Sequence, residues 1–186
     1  MKKLFPEKEK SLLLIVDFQD SILKILKDKI VKMLEKNLTI LIEMAKFFKL
    51  PIVVMEQNNE KLKHTNEKIQ KVLGEFYKPN NKLFFSGYRD KNIKEIIKSS
   101  GKSDIIICGI ETHICVFQSA YDLIKDAYNV FIVSDAVGSR YKINWQIGIE
   151  KMKDIGCEIL TTEMLLFYWL EKVGTKDFKH FLPLLK

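Results

Sequence analysis

The stretch "SDIIICGIETHICV", residues 103–116, decides the architecture. Its first half, 103–110, is a continuous apolar run of strand length, as expected of a strand covered on both faces. Its second half opens a helix: Ile114, Phe117, Tyr121 and Ile124 keep helical spacing up to about residue 127. A strand followed by a covering helix is the unit of a parallel sheet. Cys115 falls just inside that helix, where unpaired backbone N–H groups and the helix dipole favour a thiolate.

The same pattern recurs on either side. "SLLLIVD" (11–17) is a short apolar run ending in an acid, and Val31, Leu34, Leu38, Leu41, Ile42, Ala45 and Phe48 then keep helical spacing until Pro51 blocks continuation. "PIVVME" (51–56) reads as a second strand. Residues 57–81 are polar, with a short helix near 66–73, and "KLFFS" (82–86) reads as a weak third strand. "DKNIKEIIKSSG" (90–101) is a helix with Asp90 as N-cap and Gly101 just past its end. "NVFIVSDA" (129–136) and "CEILT" (157–161) are further strands, with helices at 142–155 and 162–173 and a helical tail at 175–183. The expectation is an α/β fold: a three-layer α/β/α sandwich around a mainly parallel, Rossmann-like sheet of about six strands, as one domain over residues 1–186. Such sheets bind ligands at the carboxyl ends of their strands. Neither GxGxxG after the first strand nor GxxxxGK[ST] is present, so no motif supports nucleotide binding.

Composition narrows the partners. The 186 residues are 47% hydrophobic, enough for a core without staples. The net charge of +7 would suit nucleic acid, but only Arg89 and Arg140 among 31 basic residues are arginines, and the lysines are scattered among glutamates. A lysine-rich solvated surface is the simpler reading, with neither nucleic acid nor membrane as partner. Three cysteines, Cys108, Cys115 and Cys157, form no CxxC pair. "LLLIV" is too short for a signal or a membrane span. A cytoplasmic, reduced protein is expected.

Three residues at or near strand ends then combine. Asp17 closes the first strand; alone it could be a loop-starting acid, but in an apolar setting its pKa would rise and suit it to proton exchange. Lys82 would bring positive charge if it pointed inward. With Cys115 these are the parts of a cysteine hydrolase: nucleophile, general base and acid, and electrostatic support.

"LLLIVDFQD", "KLFFSGY" and "CGIETHICV" resemble the three signatures of the isochorismatase-like cysteine hydrolases, in order and at fitting intervals. "VFIVSDAVGSR" and the C-terminal "TTEMLLFYWLEKVGTKDFKHFLPLLK" resemble the branch of small isochorismatase-domain-containing hydrolases, so the likeness covers nearly the whole chain. The resemblance implies a catalytic triad of Asp17, Lys82 and Cys115. It implies a cis peptide between Ile110 and Glu111, with the N–H groups of Glu111 and Cys115 as oxyanion hole. It also implies a small-molecule substrate with an amide-like C–N bond, and a homo-oligomer. Nicotinamidases of this family carry an Asp-x-His metal motif after the second strand. Here that stretch is "VMEQNNEKLKHT", where Glu56 and His64 are the only candidate ligands, at no common spacing. No metal and no cofactor are expected.

Other residues have plainer readings. Phe18, Gln57, Phe85 and Tyr88 lie near the site in sequence and are candidates for substrate contact. Gln19 would hold the Asp17 loop through backbone bonds. His113, two residues from Cys115, points elsewhere on a helix and is read as a rim or interface histidine. Asp135, Ser139 and Arg140 would shape a loop. Leu165, Leu166, Trp169 and Leu170 form a core stripe, while Phe167, Tyr168 and Phe178 suggest subunit packing. Two rivals keep the fold: a binding protein without turnover, and a thiol redox sensor on Cys115.

Overall fold

The computed structural model describes residues 3–185; Met1, Lys2 and Lys186 of the expected domain lie outside it. In chain order its elements are β1 (Ser11–Val16), α1 (Asp20–Leu23), α2 (Asp28–Phe47), β2 (Ile52–Gln57), α3 (Asn59–Leu62), α4 (Glu67–Leu73), β3 (Pro79–Lys82) and α5 (Lys91–Ser99). Then come β4 (Asp104–Ile110), a π-helical turn (Thr112–Val116), α6 (Phe117–Lys125), β5 (Asn129–Gly138), α7 (Lys142–Asp154), β6 (Glu158–Leu160), α8 (Thr162–Leu170) and α9 (Lys176–Phe181). All pairings are parallel, in the order β3-β2-β1-β4-β5-β6. The order reverses between β1 and β4, and that switch point is where a doubly wound sheet opens a crevice.

Alternation along β1 explains its unbroken apolar run. Leu13 and Ile15 enter one core with α2, α4, α8 and α9, while Leu12, Leu14 and Val16 enter the other with α5, α6 and α7. Both faces need apolar side chains, so periodicity of two disappears from the sequence. Asp90 caps α5 by accepting from the N–H groups of Asn92 and Ile93, as expected. The stripe Leu165, Leu166, Trp169 and Leu170 is buried.

The third strand differs from the reading above. It runs Pro79–Lys82, so Lys82 closes it rather than opens it, and the polar Asn80 and Asn81 are strand residues. β3 is an edge strand of four residues, mostly exposed, so its sequence can be polar. Leu83, Phe84 and Phe85, the apolar triplet that suggested a strand, lie on the surface beyond it. Asp135 lies within β5, where its Oδ1 accepts from the N–H and hydroxyl of Thr162 at the start of α8.

The pairing of β1 with β4 leaves no room for a side chain at one position. Gly109 pairs with Val16, has φ +114°, and a Cβ built on it would lie 2.0 Å from the Val16 carbonyl oxygen. Only glycine tolerates both the backbone conformation and the contact. Among the described residues no helix is long and apolar enough to cross a membrane.

Candidate active site

Asp17 follows directly on Val16 with φ +48°, a left-handed conformation that aspartate tolerates better than most residues. Its N–H donates to the Met55 carbonyl and its carbonyl accepts from Gln19, so the chain turns sharply as it leaves the sheet. Gln19 fastens the turn, accepting from the Gln57 N–H at 2.7 Å and donating to the carbonyls of Gln57 and Lys63.

Lys82 points inward from the end of β3. Its Nζ lies 2.7 Å from Asp17 Oδ2 and 2.6 Å from Gln57 Oε1, with the carbonyls of Phe84 and Phe85 at 3.3 and 3.2 Å. Four oxygens surround an ammonium with three N–H groups, a setting built for the cation. The other oxygen of the acid, Asp17 Oδ1, meets no hydrogen-bond partner of regular geometry. The Cys115 thiol also acts on this carboxylate, as does the charge of Glu56.

Burial pushes the Asp17 carboxyl above the ordinary range, and the Lys82 cation and the Cys115 thiol oppose it. Burial also pushes the Cys115 thiol up, and the Asp17 charge adds to that, against Lys82. The Cys115 side chain is therefore held in its thiol form. The expectation that the helix start and Lys82 would lower its pKa is outweighed by desolvation. A second buried carboxylate, Glu56, goes the opposite way. Burial works against its charge, but hydrogen bonds from Tyr77, Thr65 and His64 prevail and hold it below the ordinary range. Two neighbouring acids in one crevice are thus set to different protonation behaviour.

Cys115 sits in the π-turn, 7% exposed. The peptide bond Ile110–Glu111 that leads into this turn is cis. The turn is held from outside by the corner between β5 and α7. Glu111 Oε2 accepts from Arg140 Nη2 at 2.7 Å, and Glu111 Oε1 accepts from Arg140 Nε and from the Arg140 backbone N–H. His113 Nδ1 lies 3.0 Å from Ser139 Oγ, and its Nε2 lies 3.2 Å from Asn144 Nδ2. An amide NH₂ can only donate, so Nε2 accepts and the proton sits on Nδ1. Sequence reading missed the Glu111–Arg140 link: the partners are 29 residues apart and only their opposite charges hinted at it.

The other candidates scatter. Gln57 and Phe85 touch Lys82, Gln57 through its side chain and Phe85 through its carbonyl, while the Phe85 ring is exposed. Phe18 is fully buried in the core on the α2 side. Tyr88 is buried on the opposite side, and its hydroxyl donates to Asp126. Cys108 and Cys157 are buried, and Cys108 belongs to the core on the sheet face opposite that of Cys115. A cavity of about 890 Å³ lies beside the site, between Ile25–Met33 and the β5–α7 corner. It is lined by Ser139 and Arg140 but by none of Asp17, Lys82 and Cys115.

The stretch after β2 does not fit a metal ion. Glu56 Oε1 already accepts from the Thr65 N–H, the Thr65 hydroxyl and the Tyr77 hydroxyl, and Oε2 meets Asn59 Nδ2 and His64 Nδ1. Among the described residues no three His, Cys, Asp or Glu side chains converge as a metal-binding group.

The doubly wound α/β sheet thus carries a buried lysine–carboxylate pair and a buried cysteine at its switch point. Residues 11–164 match the isochorismatase domain model, and the chain belongs to the isochorismatase family, a hydrolase fold. The chain is 35% identical over 151 residues to isochorismatase family protein 1A of Dictyostelium discoideum, spanning 77% of this chain and 71% of that one. Among solved structures it resembles the MAR1 ribonuclease of Caenorhabditis elegans, with a TM-score of 0.87 and 26% identity over 97% of this chain and 92% of that one. It shares its fold with the YcaC gene product of Escherichia coli, described as an octameric hydrolase of unknown specificity. There the TM-score is 0.84, with 20% identity over 98% of this chain and 93% of that one.

Proposed function

We propose that the protein is a metal-independent cysteine hydrolase that cleaves a small amide-like C–N bond through an acyl-enzyme. The observation that carries this reading is the fully buried Lys82–Asp17 pair, whose carboxylate is electrostatically coupled to the Cys115 thiol. Asp17 takes the thiol proton as Cys115 Sγ attacks the carbonyl carbon. The N–H groups of Glu111 and Cys115 receive the developing oxyanion. As the C–N bond breaks, Asp17 returns the proton to the leaving amine. Asp17 then takes a proton from water, the hydroxide oxygen attacks the thioester, and the acid leaves with Cys115 restored as a thiol. Lys82 stabilises the charged form of Asp17 at each turn of this cycle.

A resting thiol next to a base, rather than a free thiolate, suits this scheme: charge appears only when a carbonyl is in place to receive it. The redox reading is weaker, because Cys108 lies across the sheet from Cys115. The ribonuclease names among the solved structures the chain resembles raise RNA as a substrate. Against it, Arg89 and Arg140 are both committed to carboxylates, those of Asp122 and Glu111. The protein is read as a homo-oligomer, with Ile25, Met33, Tyr141, Ile143 and Ile147 adding exposed apolar surface near the β5–α7 corner. In the C-terminal segment proposed for packing, Tyr168 is stacked on Phe5 within the same chain, leaving part of that surface covered.

Wild type and Cys115→Ala should be screened against a panel of small amides, with intact-mass detection. A wild-type-only acyl adduct and amine release support the reading. Equal turnover by Cys115→Ala would refute it. Binding of an amide by both proteins without release of amine would favour the binding protein without turnover.

A further inference from the structure

We infer that Arg140 is a positioning residue for the oxyanion hole, acting through the side chain of Glu111. The inference rests on the proposed role of the Glu111 N–H. Glu111 is the residue at which β4 enters the turn that carries Cys115, and its carboxylate is not directed at any reacting atom by the mechanism above. It is consumed by Arg140 instead. Three donors from that one residue, Nε, Nη2 and the backbone N–H, grip both carboxylate oxygens at 2.7–3.2 Å. The Glu111 side chain is 4% exposed, so the pair is shielded from solvent on that side. Fork-to-fork geometry fixes direction as well as distance, which a lysine cannot do.

The backbone of Glu111 is held too. Its carbonyl accepts from the N–H groups of Ile114 and Val116, at 3.0 and 3.3 Å. With side chain and carbonyl both tied, the Cα of Glu111 is held in place, and the peptide that carries its N–H is anchored at that end. A second tie runs parallel, from His113 to Ser139 and Asn144. Gly148 of α7 completes the seat: a Cβ there would press on the His113 backbone at 3.3 Å. The corner 139–144 and the first half of α7 thus form a bracket around the π-turn, and Arg140 is its only charged grip on Glu111. Donors that must point at a developing charge work because they are fixed beforehand. The reach of Arg140 is to orientation, not to substrate.

The test reads the oxyanion hole without requiring the natural substrate. Acrylamide adds to a cysteine by forming a bond from sulfur to its β-carbon. The alkene pair moves onto the amide oxygen, and the α-carbon then takes up the proton lost by the thiol. Negative charge therefore builds on an oxygen. Methyl methanethiosulfonate instead gives a mixed disulfide and releases methanesulfinate, with no carbonyl oxyanion. Both need the same thiolate, so the ratio of their rates at Cys115 cancels its protonation. Rates are followed by peptide mass on the full-length protein and compared with the ratio for N-acetylcysteine. The wild-type ratio should exceed that of the small thiol. In Arg140→Gln and Arg140→Ala it should fall on the order of tenfold. Added guanidinium at non-denaturing concentration should restore part of it in Arg140→Ala only. Arg140→Lys should stay low, and Arg89→Gln, which loses the surface pair with Asp122, should match wild type. Exposure of Cys108 or Cys157 to methyl methanethiosulfonate would flag unfolding, in which case Arg140→Gln is the variant that decides. A ratio within about twofold of wild type in both Arg140→Gln and Arg140→Ala would overturn the positioning role alone. A wild-type ratio no higher than that of N-acetylcysteine would overturn the oxyanion hole itself, and this inference with it.

Discussion

Lys82 Nζ stands 2.7 Å from Asp17 Oδ2, and neither side chain has exposed surface. Removing one member of such a pair strands the other, at a cost of about 3–5 kcal/mol. Asp17 has an escape, because burial already pushes its carboxyl toward the protonated form. Lys82→Met should therefore be destabilised by about 3 kcal/mol near neutral pH. The sign with pH follows: a carboxyl raised in the folded state adds stability below its unfolded value and loses it as pH rises through its folded value. The deficit of Lys82→Met should shrink as pH falls. Denaturant midpoints at neutral and acidic pH would check this; a deficit that grows on acidification would contradict it. Turnover should fall on the order of a hundredfold even where the fold persists.

Asp17→Asn should separate base catalysis from thiol ionisation. The Asp17 charge is among the causes that raise the Cys115 pKa. Its loss should shift the pH profile of Cys115 alkylation downward while turnover drops by about 10²–10⁴-fold. Lys82→Met should move the same profile upward, since Lys82 works in the other direction. Alkylation mapped by peptide mass gives both shifts. An Asp17→Asn enzyme that still turns over an amide would end the proposed mechanism.

The His113 tie should show as an acid limb. Burial holds its imidazole below the ordinary value of 6.5, with Arg140 pushing the same way and Glu111 opposing. The unfolded chain then binds the proton first, so stability is lost as pH falls below about 6.5 toward the lower folded value. Protonation also removes the acceptor that Nε2 offers Asn144. In His113→Gln this component should vanish from a plot of unfolding free energy against pH. An unchanged slope between wild type and variant would show that the titrating group lies elsewhere.

Turnover should survive exhaustive chelation. Glu56→Gln should instead injure the fold, by about 1–3 kcal/mol, because the donors of Thr65 and Tyr77 lose a charged acceptor. Thermal unfolding of the variant and activity after dialysis against chelator are independent readouts. Loss of activity restored only by a divalent ion would refute the metal-free reading.

Much of the fold could be read from the chain because β1 and β4 are covered on both faces and so carry unbroken apolar runs. Asp17 stands out because it ends the run of β1, and Cys115 because it falls in the turn that follows β4. Lys82 was found by its motif but set at the wrong end of its strand. An edge strand need not be apolar, and Leu83, Phe84 and Phe85 have strand-like side chains while lying on the surface. The direction of the Cys115 shift was hidden for another reason: helix position can be counted in a sequence, while desolvation depends on what packs over the thiol. The bracket made by Arg140, Ser139 and Asn144 was least legible. It joins segments some thirty residues apart through side-chain geometry that no periodicity encodes.

Gly109 gives the site one further property. With the Val16 carbonyl where a Cβ would sit, the two central strands meet backbone to backbone at this point, with no space for a side chain between them. Asp17 follows the end of one strand and the turn of Cys115 the end of the other, so the residues proposed as base and nucleophile are carried by two directly paired strands. In the proposed enzyme, differences in what is accepted would fall to the bordering segments, around 83–86 and 139–141, as interchangeable trim on a common frame.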